Sequence, residues 1–397
     1  MSKKKWIKYR HRVIRHIAAA TLGVYVRLWY GVRVEKFKEG AKRPYLIVMN
    51  HTTFCDQFLV GMAFPTPVYY IASEDLFSNG FVSKLLRWAV APIPIKKQTV
   101  DVHAVANCIR VAKEGGTIAL APEGNRTYFG RTAHIKPSIV KLIRKLNLPL
   151  AIFRIEGGYG VHPRWSDVVR KGPMRAYVSR VVEPEEVAKM DDRQFFAFLQ
   201  EQLRVDEAVA DAAYEHPKNA EFLERLLYVC PDCGLSEFES AGDLVRCKKC
   251  GLTVRHKPTK ELEGVGKAFP FAFVADWYEY QCDFVNRLNL SPYESKPMYT
   301  DTVRLLEVLL YQKKNCLMEE AELCLFGDRI TVGETVIPFS AITGITVQGK
   351  NKLVVYWDGK VWQMKGAKRF NAIKYMNIAY RWKNSHEGDG TETFLGF

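Results

Sequence analysis

Between residues 45 and 155, short and almost wholly apolar runs alternate with stretches of helical pattern, and few architectures accommodate that alternation. The runs fall at residues 45–49, 68–72, 117–121 and 148–155, and helical patterns lie between them at 57–62, 79–89, 102–113 and 137–146. A run such as Tyr45-Leu46-Ile47-Val48-Met49 has no polar alternation, so it reads as a strand buried on both faces. Buried strands joined through helices imply an α/β domain with a largely parallel sheet. The domain is expected over residues 32–227, ending in a helical stretch at 191–227.

Beyond it the pattern changes twice. Residues 228–256 form a small cysteine-rich unit, and 257–297 a mixed, helical connector with Phe269, Phe271, Phe273, Trp277, Tyr278 and Tyr280. From 298 to 384 the chain is β-rich, with apolar runs at 303–310, 317–326, 329–332, 335–339, 342–347, 353–356 and 361–364. Gly327-Asp328, Gly333-Glu334 and Asp358-Gly359 supply turns, and a helix is expected over 370–382 before a flexible tail at 385–397. Strands closed by one helix resemble the pleckstrin-homology (PH) or GRAM superfold.

The net charge of +15 is concentrated at one end. Residues 1–43 hold thirteen Lys and Arg against Glu35 and Glu39, which is +11 of the total. A cationic end points to an anionic surface, lipid headgroups or nucleic acid. Residues 1–31 read as one helix carrying Trp6, Val13, Ile14, Ile17, Leu22, Val26, Trp29 and Tyr30 among basic residues, a composition suited to a membrane interface. Its apolar core, residues 17–26, is too short to span a bilayer, which takes ~20 residues, and no small-residue cleavage site follows it. Cys55, Cys108, Cys282, Cys316 and Cys324 lack framework spacing. The expectation is a peripheral protein on the cytoplasmic face of a membrane, in a reducing compartment.

Two blocks carry chemistry. Asn50-His51-Thr52-Thr53-Phe54-Cys55-Asp56 follows the first buried run directly. Within one helix, His51 and Asp56 would point ~140° apart. With His51 in the strand-to-helix loop and Asp56 in the first helical turn, the carboxylate can bend back to the imidazole, with Thr52 or Thr53 as helix cap. A carboxylate on one ring nitrogen leaves the other to take a proton. The second block, Ala121-Pro122-Glu123-Gly124-Asn125-Arg126-Thr127, follows another apolar run. Gly124 permits close backbone approach, Arg126 offers a donor fork suited to phosphate, and Thr127 adds a hydroxyl.

Together the blocks resemble the glycerolipid acyltransferase family, whose best-known members are the lysophosphatidate acyltransferases. Asn50, His51 and Asp56 match its first motif; Pro122, Glu123, Gly124, Arg126 and Thr127 match its third. Leu148-Pro149-Leu150-Ala151-Ile152 matches the Pro-led fourth. Between the two blocks the family has a further motif ending in an acid followed by Arg; in Pro92-Ile93-Pro94-Ile95-Lys96-Lys97, Lys96 stands where the acid is expected and Lys97 where the family has Arg, so the charge persists without the bidentate fork. The resemblance covers residues 20–215.

It implies direct acyl transfer, with His51 as base and Asp56 orienting it. Asn50, Lys97, Glu123, Gly124, Arg126 and Thr127 carry over as substrate-site residues, Lys97 and Arg126 towards phosphate. The donor is an acyl thioester, acyl-CoA or acyl carrier protein, and no metal is required for transfer. The preferred acceptor is 1-acylglycerol-3-phosphate, giving phosphatidic acid in phospholipid biosynthesis; glycerol-3-phosphate or another lysophospholipid is the alternative.

Cys230-Pro231-Asp232-Cys233-Gly234 and Cys247-Lys248-Lys249-Cys250-Gly251 are two Cys-x2-Cys pairs separated by thirteen residues. Four thiolates close a tetrahedral zinc site, so a structural Zn2+ held by Cys230, Cys233, Cys247 and Cys250 is expected. Zinc ribbons also occur in nucleic-acid binders, and an inactive core would make the chain a lipid-binding adaptor. The basic charge is not on the ribbon, where Lys248 and Lys249 face Asp232, Glu237, Glu239 and Asp243, so nucleic acid is not expected as a partner.

Overall fold

The computed structural model describes residues 5–95, 101–387 and 393–397. The chain divides into two compact units. The first takes the residues up to 163 with 169–207 and 212–214; the second takes 164–168, 208–211 and 215–397.

The first unit begins with two helices, α1 (Tyr9–Ala20) and α2 (Leu22–Tyr30), where the sequence suggested one. Thr21 breaks them at φ −109°, ψ −76°, and its hydroxyl turns back to the Ile17 carbonyl at 2.8 Å. There follow β1 (Val32–Val34), β2 (Leu46–Met49), α3 (Asp56–Ala63), β3 (Val68–Ser73), α4 (Phe81–Ala89), β4 (Ile93–Ile95), α5 (Val102–Lys113) and β5 (Thr117–Leu120). The unit closes with α6 (Ile139–Leu146), β6 (Leu150–Glu156), α7 (Gly158–Val161), β7 (Met174–Val182), α8 (Pro184–Ala188) and α9 (Asp192–Leu203).

The seven strands lie in the order β1-β7-β6-β2-β5-β3-β4. Every pairing is parallel except β6 with β7. The apolar runs alternate between two cores, as successive side chains on a strand must. Ile47, Ala119, Ala151 and Phe153 pack on one face; Leu46, Val48, Ile118, Leu120, Leu150 and Ile152 pack on the other. Caps set the helix ends: Asp101 accepts the Ala104 N–H at 3.0 Å, and Asp191 with Gln194 forms a capping box on α9.

The helix expected over 191–227 stops at Leu203. The Thr132 hydroxyl donates to the Leu203 carbonyl and accepts the Val205 N–H, and Arg131 bridges Asp206, so pairing with a distant segment draws the chain into extended form. Only a short turn, Leu223–Arg225, interrupts the irregular stretch before residue 228.

The second unit contains β8 (Val229–Cys230), β9 (Gly234–Leu235), β10 (Phe238–Ala241), β11 (Leu244–Cys247), β12 (Thr253–His256) and β13 (Leu262–Gly264), followed by α10 (Val274–Arg287). Strands β10 to β13 form an antiparallel meander, and β8 with β9 a two-residue ribbon. The aromatic cluster of the connector packs on itself: Phe269 stands edge-on to Phe271 and to Trp277, which is wholly buried and donates from Nε1 to the Val229 carbonyl at 2.9 Å.

Seven further strands form one antiparallel sheet. They are β14 (Tyr299–Glu307), β15 (Asn315–Leu325), β16 (Arg329–Val332), β17 (Thr335–Pro338), β18 (Ile342–Gln348), β19 (Lys352–Trp357) and β20 (Lys360–Gly366). Their order is β17-β16-β15-β14-β20-β19-β18, and helix α11 (Ile373–His386) follows. The buried face of α11 carries Ile373, Met376, Ile378 and Ala379.

Candidate active site and cysteine cluster

Strands β2 and β5 are adjacent and parallel, with Leu46, Ile47 and Val48 opposite Ile118, Ala119 and Leu120. Both chemistry-bearing loops therefore leave the sheet at the same edge, at the carboxyl ends of neighbouring strands, where α/β folds build their sites.

His51 Nδ1 lies 2.7 Å from Asp56 Oδ2. Asp56 is the first residue of α3, and its side chain is wholly buried, whereas the His51 ring keeps 26 % of its surface open. The carboxylate bends back over the preceding turn. Oδ2 also accepts the Thr52 N–H at 2.8 Å, and Oδ1 accepts the Thr53 N–H at 2.9 Å and the Thr53 hydroxyl at 2.5 Å. The helix cap falls on Cys55 rather than on either threonine; Thr53 Oγ1 accepts the Cys55 N–H at 3.1 Å. With Asp56 on Nδ1, the imidazole is oriented so that Nε2 is the nitrogen that can take a proton.

Glu123 joins the two blocks. Its Oε1 accepts the His51 N–H at 2.7 Å and its Oε2 the Ala133 N–H at 2.8 Å. Burial pushes this carboxyl up to about 8, against the pull of the two N–H groups. The Thr127 N–H donates to the His51 carbonyl at 3.0 Å, so both backbone groups of His51 are held by the second block. The Thr127 hydroxyl is buried and accepts the Gly130 N–H at 3.1 Å. Gly124 is exposed, with φ +67° and open space where a Cβ would stand. Its conformation favours glycine, and nothing crowds the backbone there.

Arg126 is partly buried, and burial draws its guanidinium pKa down; Tyr128, Asp56, Tyr30 and Cys55 surround it electrostatically. The thiol of Cys55 is buried and pushed up, which disfavours the nucleophilic thiolate. Asn50 turns its amide to backbone: Nδ2 donates to the Ile155 carbonyl and Oδ1 accepts the Ile155 N–H, both at 2.8 Å. It is 2 % exposed and fastens the end of β2 to β6. Lys96 and Lys97 lie outside the described residues.

Near the site, the sequence does not single out His162, and Tyr30 takes a buried place. Tyr30, named with Val26 in the interfacial helix expected over residues 1–31, is buried along with it, and its hydroxyl lies 2.7 Å from His162 Nδ1. Burial holds the Tyr30 hydroxyl well above its usual pKa, with Cys55 as its neighbour. The four-residue spacing of Val26 and Tyr30, two apolar-bodied residues on one helical face, was the available signal.

In the second unit the four cysteines converge. The sulfurs of Cys230, Cys233, Cys247 and Cys250 all lie within 4.8 Å of one another, with 3.6 Å between Cys230 and Cys250 and between Cys233 and Cys247. A tetrahedral site with metal–sulfur bonds of ~2.3 Å needs sulfurs about 3.8 Å apart, so the cluster fits a tetrahedral metal. Its surroundings favour thiolate at Cys247. Burial pulls that thiol upward, yet the Ser236 hydroxyl, 3.1 Å from Sγ, and the Cys250 and Lys249 N–H groups outweigh it and hold Cys247 at about 6.

Comparison with known proteins follows the same division. Residues 31–156 match the family model described as Acyltransferase. The 1-acyl-sn-glycerol-3-phosphate acyltransferase of Bacillus subtilis (strain 168) is 22% identical over 187 residues, which are 47% of this chain and 90% of that protein. A chloroplastic 1-acyl-sn-glycerol-3-phosphate acyltransferase of Brassica napus is 20% identical over 44% of this chain and 52% of its own length. One of Arabidopsis thaliana is likewise 20% identical, so the chain spans about half of each plant relative. Among solved structures, the 1-acyl-sn-glycerophosphate acyltransferase PlsC of Thermotoga maritima aligns at a TM-score of 0.41 with 22% identity, over 49% of this chain and 78% of that one.

Proposed function

From a chain whose residues 31–156 are an acyltransferase-family domain, we propose that the protein transfers a fatty acyl group from an acyl thioester to the free hydroxyl of 1-acylglycerol-3-phosphate, giving phosphatidic acid. The observation that carries this reading is the His51–Asp56 pair at 2.7 Å, set at the carboxyl edge of a mostly parallel sheet and braced by Glu123 and Thr127.

His51 Nε2 removes the proton from the acceptor hydroxyl as its oxygen attacks the thioester carbonyl. Asp56 stabilises the imidazolium through Nδ1. When the tetrahedral intermediate collapses, the C–S bond breaks, and His51 returns the proton to the leaving thiolate. No nucleophile from the protein is required, in keeping with the buried, high-pKa thiol of Cys55. Arg126 and the exposed backbone at Gly124 receive the phosphate of the acceptor, with Lys97 as a further cation. Asn50 and Glu123 act as positioning residues through the backbone they hold.

The acceptor is a lipid, and the outer surfaces of α1 and α2 support work at a membrane. Tyr9, Val13 and Ile17, spaced four apart on α1, are exposed, as are Tyr25, Leu28 and Trp29 on α2. No helix among the described residues is long and apolar enough to cross a bilayer. This reading puts the protein peripherally on the cytoplasmic face. The cysteine cluster is read as a structural zinc site, and the seven-stranded antiparallel sheet with α11 as a PH/GRAM-like module.

Incubation of the full chain with labelled acyl-CoA, or acyl carrier protein charged with a fatty acid, and lysophosphatidic acid tests the assignment. Phosphatidic acid is the expected product. Transfer to glycerol-3-phosphate alone would move the assignment to the alternative acceptor, and transfer to neither would overturn it.

A further inference from the structure

Helix α4 is oriented against the usual rule. Its one buried residue is Ser83, whose hydroxyl donates to the Leu76 carbonyl and accepts the Asn79 N–H. Four of its five large apolar side chains point outward: Phe81 is 77 % exposed, Val82 55 %, Leu85 48 % and Trp88 54 %, while Leu86 is half-buried. Phe81, Leu85 and Trp88 recur at i, i+4 and i+7, so they form one stripe. At ~100° per residue Ser83 sits on the opposite side of the helix. An exposed stripe of this kind marks a surface that something covers.

The charges on α4 itself bear on the occupant. Lys84 borders the stripe at about 60° from Phe81, Arg87 lies further round on the same side, and the helix carries no acid. A second copy docked on the same face by twofold symmetry would set these cations against themselves. A bilayer with anionic headgroups satisfies both the apolar stripe and the flanking charge, and Trp88 suits the headgroup boundary. The stripe also adjoins α1: Arg10 Nε donates to the Trp88 carbonyl at 2.8 Å, and its guanidinium lies 5.3 Å from the Trp88 ring centroid. We propose that α4 is a second membrane-inserting element, lying in the anionic interface beside α1 and α2. It rests on the reading of a lipid-embedded acceptor, and it makes the platform two-sided, so that the catalytic unit sits on the bilayer in a fixed orientation rather than swinging from one anchor.

The test is flotation of the full chain with vesicles of phosphatidylcholine containing phosphatidylglycerol. The variants are Phe81→Ser with Leu85→Ser on α4, and Leu28→Ser with Trp29→Ser on α2. Circular dichroism melting checks that these surface changes leave the fold intact. The α4 pair is expected to lower vesicle partitioning at least about tenfold. Lys84→Gln with Arg87→Gln is expected to lower it by about fivefold per charge on anionic vesicles, and not on pure phosphatidylcholine. Partitioning of the α4 pair equal to wild type overturns the proposal. So does a wild-type oligomer that the α4 pair converts to monomer while vesicle binding persists. The readout is binding, not turnover, so loss of the acyltransferase reading and loss of this proposal are seen in separate measurements.

Discussion

Glu123 Oε1 accepts the backbone N–H of His51 at 2.7 Å, which ties the candidate base to the neighbouring loop by a side chain that need not meet substrate. The carboxyl is pushed up from its ordinary 4.5 to about 8 by burial. In the unfolded chain it titrates near 4.5, so between about 4.5 and 8 folding takes up a proton. The sign follows: stability contributed by this group falls as pH rises through that window and levels off above about 8. Glu123→Gln has no such slope. The Tm of wild type minus that of the variant is expected to shrink from pH 5 to pH 8 and then stay constant; a difference independent of pH would contradict it.

Asn50 holds both the N–H and the carbonyl of Ile155. Asn50→Ala leaves those buried groups without side-chain partners, at a cost of about 1–3 kcal/mol. Denaturant unfolding is expected to show that loss, with KM for the acceptor nearly unchanged. A raised KM at full stability would instead make Asn50 a substrate contact.

A Cβ added to Gly158 would lie 2.3 Å from Thr52 Oγ1 and 3.0 Å from Thr52 Cβ. Thr52 is buried, and its N–H is held by Asp56, so the strain passes to the His51 loop. Gly158→Ala is expected to lower kcat on the order of ten- to a hundredfold while circular dichroism still reports a folded chain. Wild-type kcat would mean the loop absorbs the methyl group.

Much of this geometry was legible beforehand. The runs at 45–49, 68–72, 117–121 and 148–155 became β2, β3, β5 and β6, because strands buried on both faces leave a continuous apolar mark. Strands β1 and β4 are three residues each, and β4 contains Pro94, so neither leaves a periodic signal. The His51–Asp56 contact could be anticipated because a loop-to-helix junction is the local geometry that lets those two side chains meet. The bracing by Glu123 and the anchoring of Asn50 join residues 72 and 105 positions apart, and such contacts exist only once the sheet order is set. The outward face of α4 was invisible for another reason: an apolar stripe at helical spacing reads the same whether core or membrane covers it.

Ser236 Oγ lies 3.1 Å from Cys247 Sγ, and its carbonyl accepts from the Tyr299 hydroxyl at 3.2 Å. Metal analysis is expected to find about one zinc per chain. Ser236→Ala should lower metal affinity about ten- to a hundredfold in a chelator competition. Affinity unchanged in the variant would remove the hydroxyl from the site's support, and a chain purified without metal would remove the zinc assignment.

The central claim is that His51 is the base of an acyl transfer. The most direct measurement compares wild type with His51→Ala in transfer of labelled acyl-CoA to lysophosphatidic acid, at matched vesicle binding. Phosphatidic acid formed by wild type, with the variant slower by about 10²–10⁴-fold, is the expected result. Equal rates from both proteins would contradict the account.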